Sequence, residues 1–366
     1  MRDDEIENTI RLIQTPHIGP ITFTLLLARY KTATQAVKAA PALAERRGRK
    51  LHIASRNIAQ KIIADADKAQ ARILIKGGPD YPETLTHFDD APAVLFAKGH
   101  ISLLQKDLLA VVGARNASTN AMKLTSHWTK ILGEAGFGIV SGLARGIDRA
   151  AHIGSLATGT IGVIGCGIDI IYPQNNADLY HEMAQSGLIL AEMAPGTKPS
   201  PRNFPARNRI IASLAKGVIV AEAAINSGSL ITAREAIERG AEIMAIPGAP
   251  TEKRAYGANH LIKDGAHLVT SPQDVIDIMH SAIKEPTLFP PSLQNENLDD
   301  IDEEMVTALS DAVMKILTFE ATDIDELTRQ CHVSAKAMQI ALLDLELAGE
   351  VQRLSGNRIC KLLKIE

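Results

Sequence analysis

The residue types best suited to chemistry stand together at 139–152, Ile-Val-Ser-Gly-Leu-Ala-Arg-Gly-Ile-Asp-Arg-Ala-Ala-His. Residues 136–140 are short, apolar and edged by glycine, the pattern of a buried strand. From Ile147 onward Ile147, Ala150, Ala151 and Gly154 recur on one helical face. The turn between them is small, and Gly142 and Gly146 let backbone come close to a ligand. A helix that starts just after a strand offers free N–H groups and the positive end of its dipole to an anion. Arg145 adds a bidentate donor fork suited to phosphate. The chemistry this predicts is contact with a phosphate backbone. The competing reading is an ordinary strand-to-helix turn with a solvated Arg145.

Three further segments share this character. Val-Gly-Ala-Arg-Asn-Ala-Ser at 112–118 sets Gly113 and Arg115 in a turn. Asn-Phe-Pro-Ala-Arg-Asn-Arg-Ile at 203–210 carries Phe204, Arg207, Asn208 and Arg209. Asn-Ser-Gly-Ser-Leu-Ile-Thr-Ala at 226–233 opens a helix with Ser227, Gly228 and Ser229 and no acid, which suits an anion. No acidic residue lies between Glu192 and Glu222, whereas Lys198, Arg202, Arg207, Arg209 and Lys216 do. On a chain of formal net charge -3 this window reads as a concentrated positive patch, able to contact phosphates without reading sequence. Phe204 is placed either to stack a base or to fill a core.

Catalytic readings are poorer. Asp148 and His152 stand four apart on one helix, as two metal ligands would, but no third ligand is apparent. A capping Asp and a packed His account for the pair without a metal, so none is expected. Gly165-Cys166-Gly167 follows a strand but lacks the third glycine of a dinucleotide fingerprint, so no cofactor is expected either. Neither a GK[ST] phosphate loop nor a GxSxG elbow is present. Cys166 has nothing cationic beside it in sequence.

These segments need a scaffold, and the chain is long enough to build one. With 366 residues and 46% hydrophobic content it has the material for two or three domains. Residues 1–72 read as all-helical, with a Thr-Pro-His-Ile-Gly-Pro break at 15–20. Helix, glycine turn, helix is similar to a helix-hairpin-helix, whose turn amides hold a DNA phosphate; a plain αα-hairpin fits the same text. Arg46, Arg47, Arg49 and Lys50 read as a solvated helix end. Over 73–283 strands and helices alternate, which predicts an α/β, Rossmann-like, mostly parallel sheet. Ligands on such sheets bind at the carboxyl ends of the strands, where all four segments fall. Residues 284–304, with Pro286, Pro290, Pro291 and a run of Asp and Glu, read as a linker. Residues 305–366 give three helical patterns and a hairpin, a winged helix.

Composition removes several classes. The 3 cysteines, Cys166, Cys331 and Cys360, form no CxxC, which excludes a disulfide scaffold or zinc finger and fits a reducing cytosol. The acidic amino terminus has no apolar signal region, and no apolar run approaches ~18 residues. A cytoplasmic protein without a membrane span is therefore expected. Aromatics are 4% of the chain, too few for a surface paved with stacking platforms.

Taken together the segments resemble the DprA/Smf family of DNA-processing proteins. The carrying text is Val-Gly-Ala-Arg at 112–115, Ser-Gly-Leu-Ala-Arg-Gly-Ile-Asp at 141–148, Ala-Ala-His at 150–152, Gly-Cys-Gly-Ile-Asp with Tyr172-Pro173, Phe-Pro-Ala-Arg-Asn-Arg-Ile-Ile at 204–211, Ser-Gly-Ser-Leu-Ile-Thr-Ala at 227–233 and Ile246-Pro247-Gly248. The resemblance covers about 81–269 and, less strongly, the winged helix. It implies an extended Rossmann-like domain that binds single-stranded DNA in a positive pocket. It implies a homodimer, without catalysis, that protects incoming DNA and loads the RecA recombinase onto it in natural transformation. Carried over residue by residue, the implied DNA contacts are Gly113, Arg115, Ser141, Gly142, Arg145, Gly146, Phe204, Arg207, Asn208, Arg209, Ser227, Gly228 and Ser229. Where the family often has a basic residue after a glycine, this chain has Ala241, which implies one weaker phosphate contact. The dimer and recombinase surfaces are implied in the carboxyl-terminal part of the same domain.

The winged helix departs from a DNA reader. Its recognition helix, expected over 334–348, carries Lys336 but also Asp344 and Glu346, where a groove-reading helix is more basic. It reads as an interaction or regulatory module, with DNA contact through Arg353, Arg358 and Lys361 as the alternative. Two other functions stay open: a phosphoribohydrolase-like nucleotide-binding enzyme, and a nucleotide-sensing regulator. The enzyme's PGGxGTxxE pattern is not met at Pro247-Gly248-Ala249-Pro250-Thr251.

Overall fold

Nine strands of the central region form one sheet: β1 (Arg72–Ile75), β2 (Val94–Gly99), β3 (Leu108–Val112), β4 (Gly138–Ser141), β5 (Thr160–Ile164), β6 (Leu188–Ala191), β7 (Gly217–Val220), β8 (Glu242–Ala245) and β9 (His267–Leu268). The structure, a computed structural model, describes residues 3–225, 227–284, 303–354 and 356–363. The strand order is β1-β2-β6-β5-β4-β3-β7-β8-β9. From β6 to β9 all neighbours are parallel; β1 and β2 add an antiparallel edge beside β6. β3 (Leu-Leu-Ala-Val-Val) and β5 (Thr-Ile-Gly-Val-Ile) are buried at every position, as strands covered by helices on both faces must be.

The chain winds outward from β3 to β6, then returns through the helix Asn203–Leu214 to β7 and continues the other way. The reversal between β3 and β7 opens a crevice at the carboxyl ends of the strands, the place where doubly wound sheets bind ligands. Beneath it Leu109, Val111, Trp128, Ile139, Ile147, Ile219 and Met244 share one core. The Ser118 hydroxyl accepts the Ala121 N–H at 3.1 Å and starts the helix Thr119–Glu134.

The described residues fall into two compact units. Residues 62–87 and 94–290 carry the sheet. Those of 1–61, 88–93 and 291–366 form the second unit. It holds the helices Asp3–Ile13, Pro20–Tyr30 and Ala33–Glu45 at one end of the chain. From the other end come the helices Glu303–Ile316, Ile324–Gln330 and Ala335–Leu347, with β10 (Thr322–Asp323), β11 (Val351–Leu354) and β12 (Arg358–Lys361) in the order β10-β12-β11. Three helices with a small antiparallel sheet make the expected winged helix. The linker expected over 284–304 lies, for 285–302, outside the described residues. Among the described residues no helix is long and apolar enough to cross a membrane.

Candidate nucleic-acid interface

Three of the four segments converge above the carboxyl ends of β3, β4 and β5. Arg115, Gly142, Arg145, Phe204 and Arg207 line one pocket, with Tyr172 at its mouth and Gly165-Cys166 among the lining residues. Phe204 stands in the first turn of the helix Asn203–Leu214 and is half-buried. Its ring has the Arg115 guanidinium carbon 5.2 Å and the Arg207 guanidinium carbon 5.9 Å from the centroid, within cation–π range. The Tyr172 ring lies 6.1 Å away, tilted by 38°. Arg115 and Arg145 are exposed, whereas Arg207 is only 7% exposed.

The buried Arg207 explains Gly142. A Cβ at position 142 would sit 1.3 Å from an Arg207 guanidinium nitrogen, so no side chain can occupy that place while Arg207 does. Arg207 faces the Asp148 carboxylate at 3.8 Å, and both are buried. That carboxylate accepts the Ala144 N–H at 3.3 Å and the Gly142 N–H as well. Burial pushes the Asp148 carboxyl up and the Arg207 guanidinium down; each charge opposes the shift of the other.

Behind the turn sits His152, fully buried. Its Nε2 accepts the Leu143 N–H at 3.3 Å, so Nδ1 carries the proton and donates to Thr160 Oγ1 at 2.7 Å. Burial, then the Arg207 charge, depress it to about 3, so it stays neutral. Asn176 Nδ2 donates to the carbonyls of Leu143 at 2.9 Å and Ala144 at 3.1 Å. Gly146, at φ 76°, lets the turn press on the segment after β3, where a Cβ would lie 2.2 Å from the Ala114 carbonyl. The Ile147 N–H donates to that carbonyl at 3.2 Å.

This geometry changes several expectations. The amides of Gly142, Leu143, Ala144 and Ile147 point inward to Asp148, His152 and Ala114, so the turn does not offer these four to an outside anion, whereas the Arg145 side chain is exposed. Ser141 is completely buried and donates to the Val111 carbonyl at 2.6 Å, tying β4 to β3 rather than reaching a ligand. Gly113 packs under Ile147, where a Cβ would be 2.5 Å from that side chain. Arg209 pairs with Glu192, and neither it nor Asn208 lines the pocket. Ser227, Gly228 and Ser229 follow β7 on the other side of the crevice and do not line the pocket; the Ser227 and Ser229 hydroxyls pair at 2.6 Å. Ala241 immediately precedes β8 and does not line the pocket.

The window empty of acids in sequence is not empty of them in space: Arg207 meets Asp148, Arg209 meets Glu192 and Lys216 meets Asp107. Asp148 and His152 do not act as a ligand pair, since they turn to different partners. The Cys166 thiol is pushed up to about 11 by burial and by Asp169, which disfavours the thiolate. Tyr172, present in the family motif text but not among the implied DNA contacts, also lines the pocket. Asn176, with no motif around it, gave no signal in the sequence.

The chain matches the family model of DNA recombination-mediator protein A over residues 72–280, of the DprA winged helix domain over 299–357 and of the DprA-like N-terminal HHH domain over 3–64. It is 48% identical over 198 residues to DNA processing protein DprA of Streptococcus pneumoniae, covering 54% of this chain and 70% of the relative. It is 31% identical to Protein Smf of Synechocystis over 94% of this chain and 96% of the relative. The X-ray structure of the Streptococcus pneumoniae protein superposes with a TM-score of 0.55 at 41% identity, over 61% of this chain and 82% of that one. A structure of DNA processing protein A from Helicobacter pylori, which addresses its single-stranded DNA binding mode, gives 0.54 at 31% identity, over 58% and 96%.

Proposed function

This chain belongs to the DprA/Smf family of DNA-processing proteins, and from that premise we propose that it binds single-stranded DNA in the Arg115–Phe204–Arg207 pocket, protects the strand and delivers it to the RecA recombinase. The observation that carries the reading is Phe204, flanked by two guanidinium groups and a second aromatic ring at the carboxyl edge of the sheet. A base can lie against an aromatic face only when it has left its own stack, which favours a single strand over a duplex. Arg115 and Arg145, both exposed in the pocket lining, supply phosphate contacts that do not depend on sequence. The role is that of a binding protein, and we assign no catalytic step.

The homodimer belongs, in this reading, to the far edge of the sheet. There Ile225, Ile237 and Leu268 are 54%, 55% and 53% exposed, and Ile225 and Ile237 border a groove with Leu230 and Leu261. Such a patch beside the edge strand β9 is suited to a second copy. The test of the DNA site is a mobility shift with single- and double-stranded oligonucleotides across a salt series, with Arg115→Ala/Arg145→Ala beside the native chain. The expected log-log slope is roughly -2 to -4. A flat salt response, or equal affinity of variant and native chain, refutes the site.

A further inference from the structure

The second unit contains two elements that in other settings bind duplex DNA: a helical hairpin and a winged helix. In a winged helix the third helix enters the major groove. Here that helix, Ala335–Leu347, is buried from Ile340 onward, and burial continues through Glu350. Its apolar residues divide between two cores. Met338, Ala341, Leu342 and Leu345 pack inside the winged helix with Val313, Leu327 and Ile359. Ile340, Leu343 and Leu347, spaced three and four apart on the opposite face, pack instead with Leu12, Phe23, Leu26, Ala40 and Leu43 of the amino-terminal helices. From Ile340 onward the helix is therefore covered on two opposite faces.

Polar contacts fix the register. Thr22 Oγ1 donates to Glu346 Oε2 at 3.0 Å, and Arg353 Nε donates to Glu346 Oε1 at 2.6 Å. Arg353 also donates to Gln339, so it is committed inside the unit. Arg47 pairs with Glu350 at 2.9 Å and Asp311 at 3.0 Å. Gly349, at φ 62°, ends the helix against the hairpin, where a Cβ would lie 2.9 Å from Arg49 and 3.0 Å from His17.

We propose that the winged helix is a docking module whose partner is the amino-terminal hairpin of the same chain, and that its recognition helix does not read duplex DNA. The two acids that make the helix look wrong for DNA, Asp344 and Glu346, are 5% and 4% exposed, buried within the unit rather than facing a phosphate backbone. The two ends of the sequence therefore close one folding unit between them.

Hydrogen exchange on the full chain tests this. Leu43→Ala, in the amino-terminal helices, accelerates exchange in 335–347 by roughly tenfold or more, and Leu343→Ala does the same in 20–45. Perturbations confined to their own segment overturn the proposal. If Leu43→Ala does not fold, the milder pair Arg47→Ala and Glu350→Ala gives a second measurement: coupled effects support docking, and strictly additive ones overturn it. Lys336→Glu, at the start of the helix, changes duplex affinity by less than about twofold, whereas losing a base-reading contact costs roughly tenfold or more. A tenfold loss shows that the helix reads duplex and overturns the second half of the proposal.

Discussion

Asp148→Asn isolates the charge that holds the pocket from the hydrogen bonds that shape it. Asparagine keeps an oxygen for the Ala144 and Gly142 amides but removes the countercharge of Arg207. At 3.8 Å and an effective dielectric near 20, the attraction between Asp148 and Arg207 is about 4 kcal/mol. Breaking a buried pair by removing one partner costs about 3–5 kcal/mol. Arg207 borders the pocket, where water can reach part of it, so a loss of about 2–4 kcal/mol is expected. For a unit of this size that lowers the melting temperature by roughly 5–15 °C. Trp128, the chain's single tryptophan, is 4% exposed and packs in the same core as Ile147, so its fluorescence reports unfolding of the sheet-bearing unit alone. At low temperature, where the variant stays folded, the uncompensated Arg207 strengthens binding of a labelled single-stranded oligonucleotide at low salt. A melting temperature within about 1 °C of the native chain would mean that the pair contributes nothing net, and the account of the turn would be wrong.

Three further outcomes follow from the same geometry. Phe204→Ala weakens single-strand binding by about 1–3 kcal/mol, alike for homopolymers of each base, by fluorescence anisotropy; a loss limited to one base would point to hydrogen-bonded recognition instead. Arg115→Ala and Arg145→Ala each reduce the magnitude of the single-strand salt slope by about 0.7, and an unchanged slope would remove that residue from the phosphate contacts. His152 is held neutral at about 3 in the folded chain against 6.5 when unfolded. Its contribution is therefore complete above pH 6.5 and is lost as the pH falls toward 3, at about 1.4 kcal/mol per pH unit. Denaturant titration followed by Trp128 fluorescence should show this slope in the native chain and a flatter one in His152→Gln.

Much of the architecture was legible in the sequence. The alternation of apolar strands and amphipathic helices over 73–283 depends on local periodicity, and a strand buried on both faces announces itself as an unbroken run such as Leu-Leu-Ala-Val-Val. The glycine turns were visible for the same reason, since a backbone that must approach other atoms closely tolerates no Cβ. That Arg115, Arg145, Phe204 and Arg207 line one pocket follows from their places at or after strand ends, which the sheet's parallel order brings together.

What only the tertiary structure decided is which partners those groups already have. Ser141, Arg207 and Arg209 look equivalent to Arg145 along the chain, yet Ser141 bonds β3, Arg207 faces Asp148 and Arg209 faces Glu192. The partners are 17 to 59 residues distant in sequence, and no local pattern encodes such a pairing. The same holds for the recognition helix, whose Ile340, Leu343 and Leu347 are covered by residues some 300 positions earlier. Periodicity records that a side chain is apolar and which face it lies on. The neighbour that buries it, or the acid that neutralises a charge, is set by how distant segments are brought into contact, and that is a property of the folded chain.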